Sequence, residues 1–143
     1  MNLFNAAGVV VLLAQGVSSP KPVPSTLLMR IETSVEGQLR QMERTTSVRL
    51  RDVTVTPRAG GASMEVVLIL PRGERFEPTA ETAYTRIWGA LSIQPNAYKA
   101  LGRISVSLLR PPREMLIDCP AGAVEATKGV PEFAKLKRAC RVR

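Results

Sequence analysis

Leu28, Ile31, Val35, Leu39 and Met42 recur at intervals of three, four, four and three residues through an otherwise polar run. At about 100° per residue they fall within an arc of roughly 80°, one stripe of an amphipathic helix. Such a stripe must be buried, so the chain has to supply a second layer for it. Pro24 precedes Ser25 and Thr26, either of which suits an N-cap. Off the stripe, Glu36 and Arg40 form a favourable i,i+4 pair. A helix is expected over about 26–44.

The second layer is written in period two. Val48 and Leu50 alternate with Arg49 and Arg51; the phase then slips, and Val53 and Val55 alternate with Thr54 and Thr56. A slip at Arg51-Asp52 predicts a β-bulge or a late strand start. Pro57 to Ala62 is turn chemistry. Met64, Val66, Leu68 and Leu70 then share one face, while Val67 and Ile69 make the other partly apolar. That two-sided character predicts a central strand paired with the first as a hairpin. Ile104, Val106 and Leu108 give a third strand, and Met115 to Cys119 a short edge strand.

Between these strands, Ala80, Ala83, Tyr84, Ile87 and Leu91 form a second helical stripe with Trp88 on its flank. Pro95 opens a short turn to Leu101, with Gly102 suited to its end. Pro131 starts a last amphipathic stretch carrying Phe133, Leu136 and Cys140. The fold expected is α+β: a single small mixed or antiparallel sheet, two main helices on one face, element order αββαβ(β), and a short C-terminal helix. This order resembles that of αββαβ modules in ring-building secretion domains and of nucleic-acid-binding α+β modules. The likeness lies in element order, and no motif accompanies it.

Three segments are expected along the chain. Residues 1–17 hold an uncharged apolar stretch, 6–17, too short for the ~20 residues that span a bilayer. It has the length of a signal-peptide core, and Ala14-Gln15-Gly16 is an acceptable cleavage site. No Lys or Arg precedes it, so a retained apolar anchor or a buried element are the other readings. Residues 18–25 are a Pro/Ser linker, and 26–143 form one α+β domain. At 4% aromatic content its core rests on Val, Leu, Ile and Ala.

Catalytic chemistry finds little purchase. The chain has no His, which removes the commonest general base and metal ligand. No Ser-x-x-Lys pair or Walker loop occurs, and two Cys fall short of a four-ligand zinc site. Glu114 and Asp118 are scattered acids on the last strand. No catalytic, metal or cofactor site is therefore expected. Cys119 ends an apolar strand and Cys140 lies beside Phe133 and Leu136, so both are expected inside and bonded. The bridge would close a loop of 22 residues, 119 to 140 inclusive. Export and the disulfide stand or fall together, because cytosolic thiols stay reduced.

Charge adds a partner class. Lys and Arg number 20 against 12 acids, a net +8, and five Lys leave fifteen Arg among them. Arg suits bidentate contact with phosphate or carboxylate. Two groups are candidate contacts for an anionic partner or surface: Arg49, Arg51 and Arg58 on the first hairpin, and Lys135, Lys137, Arg138, Arg141 and Arg143 at the end. The aromatics are not interleaved with them, so only weak, non-specific nucleic-acid binding is expected. Trp88 is a candidate interface anchor. The reading is a non-enzymatic structural or interaction domain of an exported or membrane-associated envelope assembly, partnered by other protein subunits. The alternative is a cytosolic basic domain binding RNA or DNA, and a cell-surface ligand binder or enzyme comes third.

Overall fold

A computed structural model describes residues 23–143. The expected leader, residues 1–17, and most of the linker lie outside the described residues. Helix α1, Ser25–Thr45, leads into the hairpin β1, Arg49–Thr56, and β2, Ala62–Ile69. Helix α2, Phe76–Ser92, and the single turn α3, Ala97–Ala100, cross to β3, Leu101–Arg110. A second hairpin leads to β4, Arg113–Pro120. The short helices α4, Ala121–Ala126, and α5, Phe133–Ala139, then return the chain to β5, Arg141–Val142.

The five strands stand in chain order, β1-β2-β3-β4-β5. All neighbours run antiparallel except β2 and β3, which the α2 crossover makes parallel. The sheet is thus mixed and α+β, with more strands and helices than the expected order held. The α1 stripe is buried in full: Leu28, Ile31, Val35, Leu39 and Met42. It joins Met64, Val66, Leu68, Ile104 and Val106 in one core. Tyr84 is the largest side chain in that core, and its hydroxyl donates to the carbonyls of Ile104 and Ile117, both at 3.0 Å. Burial pushes this hydroxyl above the ordinary tyrosine range, so it stays a donor at any physiological pH.

Several expectations need correction. Pro24, not Ser25 or Thr26, occupies the N-cap of α1, and no side chain caps that end. The slip at Arg51 is, as expected, a bulge and not a late strand start: the register shifts between Leu50 and Asp52. Gly102 does not end a helix but lies in β3. A Cβ there would stand 3.2 Å from the carbonyl oxygen of Gly60, so glycine lets β3 pass close to the first hairpin's turn. β4 is neither short nor an edge, because β5 pairs along its outer side. β2 has strands on both sides, but β3 is the middle strand. The second apolar face of β2 is not buried under another layer, for Ile69 is 37% exposed.

Cys119 and Cys140 are bonded, with their Cα atoms 4.5 Å apart. Cys119 lies on the core side of β4, opposite Ile104, and Cys140 directly precedes β5. The bridge therefore pins the two-residue β5 to its neighbour. The ladder is continued past it by Leu116 and Arg143, whose N–H groups each donate to the other's carbonyl at 2.9 Å.

Candidate interaction surface

Alternation along each strand separates two faces of the sheet. Leu50, Met64, Val66, Ile104, Val106 and Ile117 point to the helices. The residues between them point away, and register lines them up in rows across the five strands. One row runs Arg49, Ile69, Leu109, Glu114. The next runs Asp52, Val67, Ser107, Leu116 and, through the paired termini, Arg143. A third runs Thr54, Glu65, Ser105, Asp118, Arg141. The last runs Thr56, Ser63, Arg103, Pro120. Val67, Ile69, Leu109 and Leu116 thus form one apolar patch, rimmed by charge.

The rim is balanced rather than basic. Four arginines (49, 103, 141, 143) face four carboxylates, Asp52, Glu65, Glu114 and Asp118. Asp118 is the anchor of this pattern. It accepts from Arg103 Nε at 3.0 Å and Nη2 at 2.8 Å, and from the Ser105 hydroxyl at 2.9 Å. The Arg103 hydrogen bond, with smaller help from Ser105 and the charges of Arg103 and Arg141, holds its carboxyl below the usual range.

Both edges of the sheet are partly occupied. On β1, the Leu50 N–H donates to Glu43 Oε2 at 2.9 Å and the Val55 N–H to Glu32 Oε1 at 3.1 Å. These carboxylates reach over from α1 and occupy groups an added strand would need. The Leu50 bond, with support from Arg40, keeps Glu43 ionised to lower pH than an ordinary glutamate. At the other side, β5 offers only two residues.

The expected contact residues scatter. Arg49, Arg141 and Arg143 reach the open face by register, at its two opposite sides. Arg51 lies in the bulge, and Arg58 is exposed in the first hairpin's turn. Lys135, Lys137 and Arg138 are exposed on α5, where Lys135 pairs with Glu132 at 3.8 Å. They do not assemble into one basic surface. What residue-by-residue reading missed is the apolar patch and the carboxylates in its rim. The signal was present in Val67 and Ile69, whose outward phase can be read as exposed or as covered.

Trp88 is half-buried on the helical side. It walls a cleft of about 670 Å³ shared with Tyr98, Lys99, Glu125 and Lys128. Its ring lies against Gly129, where an added Cβ would stand 3.0 Å from it. The Tyr98 hydroxyl is buried without a geometrically sound hydrogen bond, and burial raises its pKa, an effect that nearby Ser92 partly offsets. No group of three metal-ligating side chains occurs among the described residues. Nor is any described helix long and apolar enough to cross a membrane. The disulfide points to an oxidising, non-cytosolic compartment. Comparison with protein families, curated proteins and solved structures finds no match.

Proposed function

We propose that this protein is a non-enzymatic interaction module of an exported or membrane-associated envelope assembly, and that its open sheet face receives a neighbouring protein subunit. One observation carries the reading: the face holds an apolar patch ringed by matched charges, while both sheet edges are partly occupied. Such a patch costs solubility unless something covers it. Its balanced rim supports protein over nucleic acid, since phosphate binding calls for uniform positive charge. The disulfide supports an exported location.

A photo-crosslinking residue placed at Leu109 in native cells tests this. The expected product is a covalent adduct with a protein of the membrane or envelope fraction, absent when the probe replaces Ala134 on α5. Fractionation with intact-mass measurement should place the protein outside the cytosol with both thiols oxidised. A sub-micromolar complex with one RNA or DNA sequence at physiological salt would overturn the proposal and promote the nucleic-acid alternative.

A further inference from the structure

The apolar phase of β3 and β4 ends on two arginines. Arg110 continues the phase of Ile104, Val106 and Leu108, and Arg113, its partner across the hairpin, stands in the phase of Ile117. Both are therefore on the covered side, at the end where α2 begins. Phe76, the first residue of α2, packs between them and the core. The Arg110 guanidinium is 4.7 Å from its ring centroid and the Arg113 guanidinium 5.4 Å. With Arg75, Glu77 and Met115 these side chains line a pocket of about 260 Å³. It opens outside the carboxyl ends of β2 and β3, the parallel pair that α2 joins, where crossover units commonly hold ligands. We infer that this pocket binds a phosphate monoester, with Arg75, Arg110 and Arg113 as its contacts.

The pocket's charge is left uncompensated. Among the described residues the ion pairs are made by Arg40, Arg103 and Lys135, and none by Arg75, Arg110 or Arg113. The acids nearest in sequence are engaged elsewhere. Glu74 accepts from the Ser47 N–H at 3.4 Å, and Glu114 takes the open-face phase opposite Leu109. Only Glu77 shares the pocket, so three positive charges stand with one negative. Guanidiniums drawn onto one ring repel each other, and cation–π contact offsets only part of that repulsion. An anion with two charges would neutralise the set, and a phosphate monoester carries about −1.5 to −2 near pH 7.

Residue type and volume narrow the ligand further. Arg110 is fixed twice, by the Phe76 ring and by its Nη1, which donates to the Glu74 carbonyl at 2.7 Å. A guanidinium has several N–H donors, so most of them remain for a ligand. Planar forks match phosphate oxygens in pairs, and three forks can serve a tetrahedral group where a carboxylate offers too few oxygens. The pocket is smaller than the roughly 300 Å³ or more that encloses a whole small molecule. Only the phosphate enters, and the group it is attached to stays outside. Two sources share that chemistry: a soluble monoester, and a lipid with a terminal phosphate headgroup. Neither depends on what covers the open face.

Titration of the full oxidised chain with glycerol 3-phosphate at fixed ionic strength, followed through the arginine Nε–H resonances, tests the inference. Saturable shifts of Arg75, Arg110 and Arg113 are expected, with a Kd of about 1 mM, as suits so small a group. Acetate should bind at least about tenfold more weakly. Arg110→Ala and Arg113→Ala should each weaken glycerol 3-phosphate at least about fivefold, while Arg58→Ala, in the first hairpin's turn, should leave it unchanged. Glu77→Gln should tighten it about two- to fivefold by removing a like charge, a gain that a damaged fold does not produce. Cosedimentation with phosphatidylcholine vesicles separates the sources. Capture by vesicles carrying phosphatidic acid, above that by phosphatidylglycerol vesicles of matched charge and lost in Arg113→Ala, identifies the lipid. Glycerol 3-phosphate binding without such preference identifies a soluble monoester. No saturable shift up to about 20 mM, equal binding of acetate, or indifference to Arg110→Ala, Arg113→Ala and Glu77→Gln overturns the inference.

Discussion

The same strands present two faces, and the faces have opposite tasks. Along β3, Ile104, Val106 and Leu108 are fully buried beneath the helices, while Ser105, Ser107 and Leu109 alternate with them on the uncovered side. Backbone, hydrogen-bond ladder and distance along the chain are shared. Only the covering layer differs. Stability therefore resides in one phase of the alternation, and the other phase is free to carry contacts. A matched pair of substitutions, one per face, should separate the two tasks.

Charge insertion gives the largest separation. Val35 is buried in the covered layer, and Val67 is half-buried on the open one. Val35→Asp should cost about 4 kcal/mol or more, a large part of a small domain's whole stability. Val67→Asp should cost less than about 1 kcal/mol in the monomer, because water still reaches it. Urea unfolding with circular dichroism checks both. Equal midpoints for the two variants would break the division between the faces.

The disulfide comes next, and it bears on the covered phase through Cys119. Replacing both cysteines by alanine, Cys119→Ala with Cys140→Ala, should cost about 3 kcal/mol from the loop-closure entropy regained on unfolding. The loss should concentrate at β5, so Arg141 and Val142 should lose hydrogen-exchange protection before β2 or β3 does. An unchanged urea midpoint would show that the bridge staples nothing the rest of the fold does not already hold.

How much of this was legible follows from what each signal encodes. The α1 stripe and the inward phases of β2 and β3 are local patterns with one physical solution, and each was readable. The bulge was readable too, because a phase slip in a period-two run has few causes. β5 was not, since two residues carry no period and are ordered by the disulfide and the β4 ladder. Gly102 was misassigned because its reason is contact with Gly60 and Gly61, more than forty residues away. The open face was half-legible. Val67 and Ile69 announced a second apolar side, but covered and uncovered faces have the same spacing. The basic clusters were visible in the chain but not as a surface, because register sets Arg49, Arg141 and Arg143 among Asp52, Glu65, Glu114 and Asp118, while Arg58 lies in a turn and Lys135, Lys137 and Arg138 on α5.

A smaller effect sharpens the contrast from within the core. The Tyr84 hydroxyl is the polar atom that ties α2 to both β3 and β4. Tyr84→Phe keeps the ring and removes only that tie. It should cost about 1–1.5 kcal/mol, the ordinary net value of a hydrogen bond. A cost near zero would mean that the ring's burial alone positions α2.

The smallest effect belongs to the open face, and its pH dependence identifies it. Asp118 has its carboxyl held below the ordinary value of 3.8, first by the Arg103 hydrogen bond. A depressed folded pKa means the folded chain binds a proton less readily than the unfolded one. Its contribution is therefore complete above the unfolded value and is lost as pH falls through the lower folded value. Asp118→Asn removes that contribution at every pH. The stability gap between wild type and Asp118→Asn should be constant near neutrality and close below pH 3.8. Because the Arg103 side chain is half exposed, the gap should be smaller than that of Tyr84→Phe and should shrink in high salt. Paired urea titrations across the acid range, at low and high salt, measure it. A gap that widens on acidification, or that ignores salt, would assign Asp118 to the covered face's economy of packing rather than to the solvent-screened rim of the open one.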